Sequence, residues 1–330
     1  MSAETLPFTP LFRSGHLQTI AARFWPAQVD LRKFPVVSTL FQTEPGVQVL
    51  THCHFASSEM AKETVLIVHG LEGSSHSPYV LRMSQRALEE GYDVVRLNVR
   101  NCGGTEHLSA TLYHSGLTKD LESVALQLAP RPLYIIGFSM GGNMALKLAG
   151  EWGTHLPGHV KAVCAVSPPI DLETCARKIS EPRNRIYERR FLVHLGETLS
   201  QKKRKMPVNY TLEQYSSIRT LIDFDHVYTA PAFGYRDAFD YYTHASSISF
   251  LGRIQAETLV IHAQDDPFIP PSLFAHPAFD SNPYLKLLLP SHGGHVAFIA
   301  RGRPRFWAQD RAVHFFNSIR WRADGTHLSS

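Results

Sequence analysis

Cysteine is scarce in this chain of 330 residues: Cys53, Cys102, Cys164 and Cys175 are scattered and form no CxxC pair. That excludes a disulfide framework and a cysteine-based zinc or redox centre, and the four read as free thiols. Long hydrophobic runs are missing too, since no segment approaches the roughly 18 apolar residues of a membrane span. The amino-terminal MSAETLPFTPLFRSGH lacks the basic-then-apolar order of a secretory signal. The expected compartment is the cytoplasm. No internal repeat or low-complexity tract interrupts the sequence, and with 44% hydrophobic and 19% charged residues the composition is that of an ordinary folded protein.

The formal charge of +4 is unevenly spread. Between Arg177 and Lys205 ten Lys/Arg stand against three Glu, a local +7 that leaves the rest of the chain at −3. Such a unit can attract nucleic acid, anionic lipid or acidic substrates, or simply form a solvated face of helices. The solvated face is the expectation. Lys202-Lys203-Arg204-Lys205 has no accompanying nucleic-acid recognition motif, so no nucleic-acid partner is expected.

What is abundant is short, almost wholly apolar runs alternating with helical patterns. Residues 36–55 hold two stretches rich in Val, Thr, Phe and Leu around Glu44-Pro45-Gly46, the pattern of a hairpin. TVLIVHG at 64–70 is followed by the loop LEGSSHS and a helix from Pro78 to Glu90. YDVVRLNV at 92–99 leads through RNCGG to a helix around Leu117 to Leu128, and LYIIGF at 133–138 leads directly into one from Met140 to Glu151. VKAVCAVS at 160–167 is a further buried strand. Strands apolar on both faces, alternating with helices, predict a mostly parallel sheet with helices on both sides, an α/β fold. The alternation stops after Pro168-Pro169 and resumes with TLVIHAQDD at 258; YLKLLLP at 284–290 and a helix over 305–320 close the chain. The expected organisation is one core in two parts, residues 1–171 and 251–330, interrupted by a helical lid at 172–250.

The strongest chemical signal is Gly137-Phe138-Ser139-Met140-Gly141, a GxSxG segment directly after an apolar strand and directly before a helix. So tight a corner leaves no room for flanking side chains, and it projects the serine hydroxyl above the sheet. A serine hydroxyl becomes a nucleophile only when a base takes its proton, and the base needs a carboxylate to orient it. Where this corner occurs, the order along the chain is Ser, acid, His. Asp265 and Asp266 both follow the strand TLVIHA; Asp266 is preferred because it stands four residues before Pro270, with Asp265 the alternative. Of 18 histidines, His295 is preferred as base because it follows the last apolar strand and Gly293-Gly294 lets its loop fold closely. His292 is the alternative and suits loop packing better. No nearby His, Cys or Glu completes a metal site with these two histidines. Charge on a tetrahedral intermediate needs two donors, assigned to the backbone N–H of Met140 and of Leu71. Cys102, a lone thiol without a base, reads as structural.

SGHLQTI near the N-terminus, HGLEGSSHSPY, RNCGG with YHSGLTKDL, GFSMGGNMALKLAGE, and QDDPF with HGGHVAF together resemble the YheT-like esterases, a family of the α/β-hydrolase fold. The resemblance runs from about residue 8 to 320. It implies nucleophile, acid and base at Ser139, Asp266 and His295, in agreement with the assignment from the residues, and esterase or lipase action on short- and medium-chain acyl groups, with acyltransferases among eukaryotic relatives. Ala297, where many relatives carry glycine, and Asn101 depart from the pattern without touching a proposed catalytic atom. SGHLQTI carries no derivable chemistry; it reads as an arm packed on the domain, with His16 a candidate for lining an entrance.

The resulting expectation is a serine hydrolase that cleaves a small acyl ester through an acyl-enzyme, with no metal or organic cofactor. An alcohol acceptor would turn the same site into an acyltransferase, and a lipid- or protein-binding protein that keeps the fold is the non-catalytic rival. Aromatics of the insertion, Tyr187, Phe191, Tyr210, Tyr215, Phe224 and Tyr228, either line an acyl pocket or form the insertion's own core. Its basic side chains are expected to face water or an anionic lipid surface.

Overall fold

Successive side chains of a strand point to opposite faces, so a strand that is apolar throughout must be covered twice. The computed structural model, which describes residues 8–56, 63–206 and 212–323, resolves this demand with two cores. In β3 (Thr64–Val68), Val65 and Ile67 pack with helix α2 (Pro78–Glu89) and the C-terminal helix (Trp307–Ala323), while Leu66 and Val68 pack with α3 (Lys119–Gln127) and α4 (Met140–Trp152). β5 (Leu133–Phe138) divides the same way.

The sheet has eight strands in the order β1-β2-β4-β3-β5-β6-β7-β8. β1 (Val36–Glu44) and β2 (Val47–His54) form the expected hairpin, with Gly46 at φ 75°, and β2 pairs antiparallel with β4 (Asp93–Leu97). All later pairings, through β6 (Val160–Val166), β7 (Glu257–Ile261) and β8 (Leu285–Leu288), are parallel. The carboxyl ends of β3, β5, β7 and β8 therefore lie along one edge, the place where open α/β sheets hold ligands.

Between β6 and β7 the chain is helical, beginning with α5 (Leu172–Ile179) and α6 (Arg185–Lys205) and ending in a turn over Ser247–Arg253. The basic run at the end of α6 differs from expectation. Lys203, Arg204 and Lys205 are exposed, but Lys202 is fully buried. It continues the stripe of Leu192, Leu195 and Leu199 at helical spacing and so points inward. Its ammonium donates to Asn101 Oδ1 at 2.7 Å, to Ser109 O at 2.5 Å and to Glu106 O at 3.4 Å. Lys205 pairs with Glu106 at 2.5 Å. The run is an anchor for the insertion as well as a solvated face. All four cysteines are buried and free, and no described helix is long and apolar enough to cross a membrane.

Removing the Lys202 ammonium leaves buried acceptors without donors. Lys202→Met should lower the unfolding free energy by roughly 1–3 kcal/mol, and Lys203→Met by less than about 0.5 kcal/mol, in urea titrations.

Candidate active site

β5 ends at Phe138 and α4 begins at Met140, so Ser139 alone turns the corner. Its backbone sits at φ 52° and ψ −121°, a conformation that costs a non-glycine residue about 1–3 kcal/mol. The surroundings hold it there. Its N–H donates to Val166 O at 2.8 Å, and its carbonyl accepts from Gly142 and Asn143 at 2.8 and 3.1 Å. A Cβ on Gly137 would lie 2.0 Å from the Gly141 carbonyl oxygen, and one on Gly141 2.5 Å from the carbonyl oxygens of Val68 and His69, so both positions require glycine.

His295 Nε2 lies 2.8 Å from Ser139 Oγ, and His295 Nδ1 lies 2.9 Å from Asp266 Oδ2. The carboxylate accepts a hydrogen bond from Nδ1–H and so keeps the proton on Nδ1, which leaves Nε2 free to accept from the serine hydroxyl. Burial pushes the Asp266 carboxyl up, but the His295 charge and hydrogen bond, with His262 and the Phe268 N–H, outweigh it and hold the group below the usual carboxylate range. The alternative pair lies elsewhere in the same loops. Asp265 accepts the Gly294 N–H at 2.8 Å and sits 3.3 Å from His292 Nδ1. Among the described residues neither Asp265 nor His292 bonds to Ser139 or to the His295 ring.

The loop that carries His295 is under strain. Gly293, Gly294, Val296 and Phe298 all have positive φ, and for Val296 and Phe298 that is unfavourable. The SGHLQTI segment, read from sequence as a packed arm, supplies what holds the loop. It forms α1 (Gly15–Phe24), capped by the Ser14 hydroxyl. Thr19 Oγ1 accepts the His295 N–H at 2.9 Å and donates to Gly15 O at 2.7 Å. The buried Gln18 amide bonds both backbone groups of Ile299, at 2.9 and 3.0 Å. Contact is so close that a Cβ on Gly15 would stand 1.9 Å from the Asp265 carbonyl oxygen. His16 is not among the residues lining the cavity described below; its ring stacks on Tyr187 of α6, 3.1 Å from the phenolic oxygen.

Leu71 and Met140 line the same cavity as the serine, and among the described residues neither N–H has a protein acceptor. Three residues the sequence did not single out fix the Leu71 loop. The buried His69 is held neutral by burial, which lowers its pKa to about 4. Its Nε2 accepts the Val99 N–H at 3.0 Å, so Nδ1 donates to Gly70 O at 2.7 Å. Tyr79 Oη accepts the Gly70 N–H at 2.9 Å. Glu72 receives the Tyr113 hydroxyl and, at 2.8 Å, that of Thr198 on α6, which ties the loop to the insertion. HGLEG offered only its first His and Glu as hints of this.

Above the serine lies a cavity of about 130 Å³ that opens to solvent. Ser139, His295, Leu71 and Met140 line it on the sheet side; α5, α6 and the segment from Leu221 to Thr229 cover it. Of the insertion aromatics, Phe191 and Phe224 line the cavity, Tyr215 and Tyr228 belong to the insertion's own core, and Tyr210 lies outside the described residues.

A strained serine corner on the middle of a parallel sheet, facing a histidine and a buried carboxylate from the following loops, belongs to a known class. The family model described as alpha/beta hydrolase fold matches residues 63–301, and the chain belongs to that family. Within it the chain belongs to the YheT-like esterases: it is 34% identical over 318 residues to the YheT protein of Escherichia coli (strain K12), covering 94% of this chain and 92% of that one. It is 30% identical over 271 residues to a protein of Saccharomyces cerevisiae named monoacylglycerol lipase, covering 78% of this chain and 60% of the relative. Phospholipase ABHD3 of Homo sapiens is 30% identical over 258 residues, with 77% and 62% covered. Among solved structures, an esterase of Pyrococcus furiosus superposes with a TM-score of 0.58 at 18% identity, covering 88% of this chain and 98% of that one, which is a likeness of fold.

Thr19 Oγ1 ties the His295 N–H to the first turn of α1, so its loss should show in turnover more than in stability. Thr19→Val should lower kcat on an ester by about tenfold to a hundredfold with little change in KM, and Thr19→Ser should restore it. Steady-state kinetics beside thermal melts checks this.

Proposed function

We propose that the protein hydrolyses carboxylic esters of short- to medium-chain acids or acylglycerols through an acyl-enzyme on Ser139. The observation that carries this reading is the unbroken hydrogen-bonded line from Asp266 through His295 to Ser139 at the floor of a largely apolar cavity. In the first step Ser139 Oγ attacks the ester carbonyl while His295 Nε2 takes its proton, and the oxyanion is held by the N–H groups of Leu71 and Met140 at the start of α4, whose dipole favours negative charge there. His295 returns the proton to the leaving alcohol as the carbon–oxygen bond breaks. Water then attacks the acyl-enzyme with His295 as base again, and as the bond from the acyl carbon to Ser139 Oγ breaks His295 returns the proton to Oγ and the acid leaves. Asp266 stays ionised and steadies the imidazolium. A pure binding protein would have no use for the strain stored at Ser139 and in the His295 loop, which speaks against the non-catalytic alternative.

In this reading residues 172–250 are a lid over the sheet edge, anchored by Lys202 and Thr198. An interfacial substrate is supported by the outward face of α1, where Leu17, Ile20 and Phe24 are 54, 46 and 77% exposed at helical spacing. Ile186 and Val193 are exposed on α6, and Arg13 and Arg23 beside α1 and Arg185 and Arg189 on α6 are exposed within a few residues of these groups in sequence. Exposed apolar side chains with arginines close by in sequence suit an anionic lipid surface.

Ser139→Ala and His295→Ala should each lose about 10⁴-fold or more of ester turnover, and Asp266→Asn about 10⁴-fold, with the fold intact by circular dichroism. A fluorophosphonate should label Ser139, as mapped by mass spectrometry; an unlabelled folded sample, or turnover that survives Ser139→Ala, would refute the mechanism. The wild type should float with phosphatidylglycerol vesicles and not with phosphatidylcholine vesicles, and Ile20→Ser with Phe24→Ser should abolish flotation.

A further inference from the structure

The cavity over Ser139 is walled largely by aliphatic and phenyl side chains, yet one of its lining residues is an acid, Asp225. Asp225 opens a π-helical turn, Asp225–Thr229, set between the helical turns Leu221–Phe224 and Ala230–Ala232. A widened turn of this kind is rare and recurs where a helix must aim a side chain at a functional site. Here Thr229 Oγ1 donates to Asp225 Oδ1 at 2.6 Å, and the Tyr242 hydroxyl donates to Oδ2 at 2.7 Å. Both carboxyl oxygens are thus fixed in place, and each keeps a second lone pair.

Among the described residues no cation balances this acid; burial pushes it up to about 6 against the two hydroxyls. A carboxyl in an apolar cavity without a counter-charge costs stability, and an apolar side chain would fill the space at lower cost. Its neighbours in the cavity complete a set of hydrogen-bonding groups. The Tyr241 hydroxyl accepts the Ser115 N–H at 3.0 Å and so keeps its own proton to give. His114 is held neutral, by burial first and then by Lys147 and Arg100; its Nδ1 accepts the Gly116 N–H at 3.2 Å, which places its proton on Nε2. An acid and two donors lining one cavity fit a group that both gives and takes a hydrogen bond, which is what a hydroxyl does and an alkyl chain does not. The set also lies close to the nucleophile along the chain of contacts: Asn143, one turn of α4 past Ser139, donates to Ser115 O at 2.9 Å.

We infer that Asp225, with Tyr241 and His114, forms a polar subsite that selects esters bearing a hydroxyl group, on the acyl chain or on the alcohol portion, over plain alkyl esters. The inference rests on the reading of Ser139 as an ester-cleaving nucleophile. A site of this kind rejects the analogue without the polar group because its own buried groups are then left unpaired.

The test uses matched pairs: p-nitrophenyl alkanoates of six to twelve carbons against their terminally hydroxylated counterparts, and a 1-monoacylglycerol against the methyl ester of the same acid. In at least one pair the wild type should favour the hydroxylated member by tenfold or more in kcat/KM, mainly through KM. Asp225→Leu should bring that ratio to near one, with Asp225→Asn in between. A terminally aminated series ranking above the hydroxylated one would assign the subsite to a cation and overturn the hydroxyl reading. A wild-type ratio near one in every pair, or a ratio that both Asp225 variants leave unchanged, also overturns it. Fluorophosphonate labelling of Ser139 in each variant separates loss of the subsite from loss of the nucleophile: labelling with no discrimination refutes the subsite alone, and no labelling in the wild type refutes the reading beneath it.

Discussion

Ser139 Oγ and His295 Nε2 must stand 2.8 Å apart although 156 residues separate them and both lie in backbone that resists its own conformation. Much of the fold can be understood as holding that one contact. On the serine side the strain is met by the parallel sheet: β6 takes the Ser139 N–H, and the first turn of α4 takes its carbonyl. On the histidine side no sheet is present. There the loop with its run of positive φ values is held by hydrogen bonds from Thr19 and Gln18, and by the Ser167 hydroxyl, which accepts the Val296 N–H at 3.2 Å. Conformations that cost of order 1–3 kcal/mol each persist only where the surroundings over-determine them.

The same logic extends outward to the insertion. Thr198 bonds Glu72 in the loop that carries Leu71, and Lys202 reaches under the RNCGG loop to Asn101. The cover over the cavity is therefore tied to the loops that line it, and the shape offered to a substrate depends on α6 as much as on the sheet. The polar groups of the cavity follow a different rule from the rest of the interior. Asn143 is buried with both ends satisfied, its oxygen by the Ser247 N–H and its nitrogen by the carbonyls of Ser115 and Ala245. Asp225 is fixed by two hydroxyls and keeps room for a third partner, which sets it apart from a polar group that serves packing alone.

The apolar strands were legible because a parallel sheet is covered on both faces and its strands carry no polar alternation to confuse them. The serine corner was legible because Gly137 is demanded by the Gly141 carbonyl only four residues on, although Gly141 answers to Val68 and His69 across the sheet. The spacing to Pro270 favoured Asp266 over the adjacent Asp265, but which of the two reaches the His295 ring depends on the direction in which each side chain leaves the turn. Lys202 was misjudged for a related reason: in a run of four basic residues composition makes all four look exposed, and only the 3.6-residue stripe of Leu192, Leu195 and Leu199 marks one of them as inward-facing.

The sequence by itself determined the sheet, its helices, the corner at Ser139 and the short list of groups able to serve it, because each of these rests on local geometry and on the periodicity of burial. Only the tertiary structure decided that His295 meets that serine with Asp266 behind it, that the N-terminal helix carries the histidine loop, and that Asp225 lines the same cavity. Those are contacts between distant segments. Their hydrogen bonds are satisfied only when eight strands have fixed where each loop emerges, and no local pattern encodes a partner that lies across 276 residues of chain, as Thr19 does for His295.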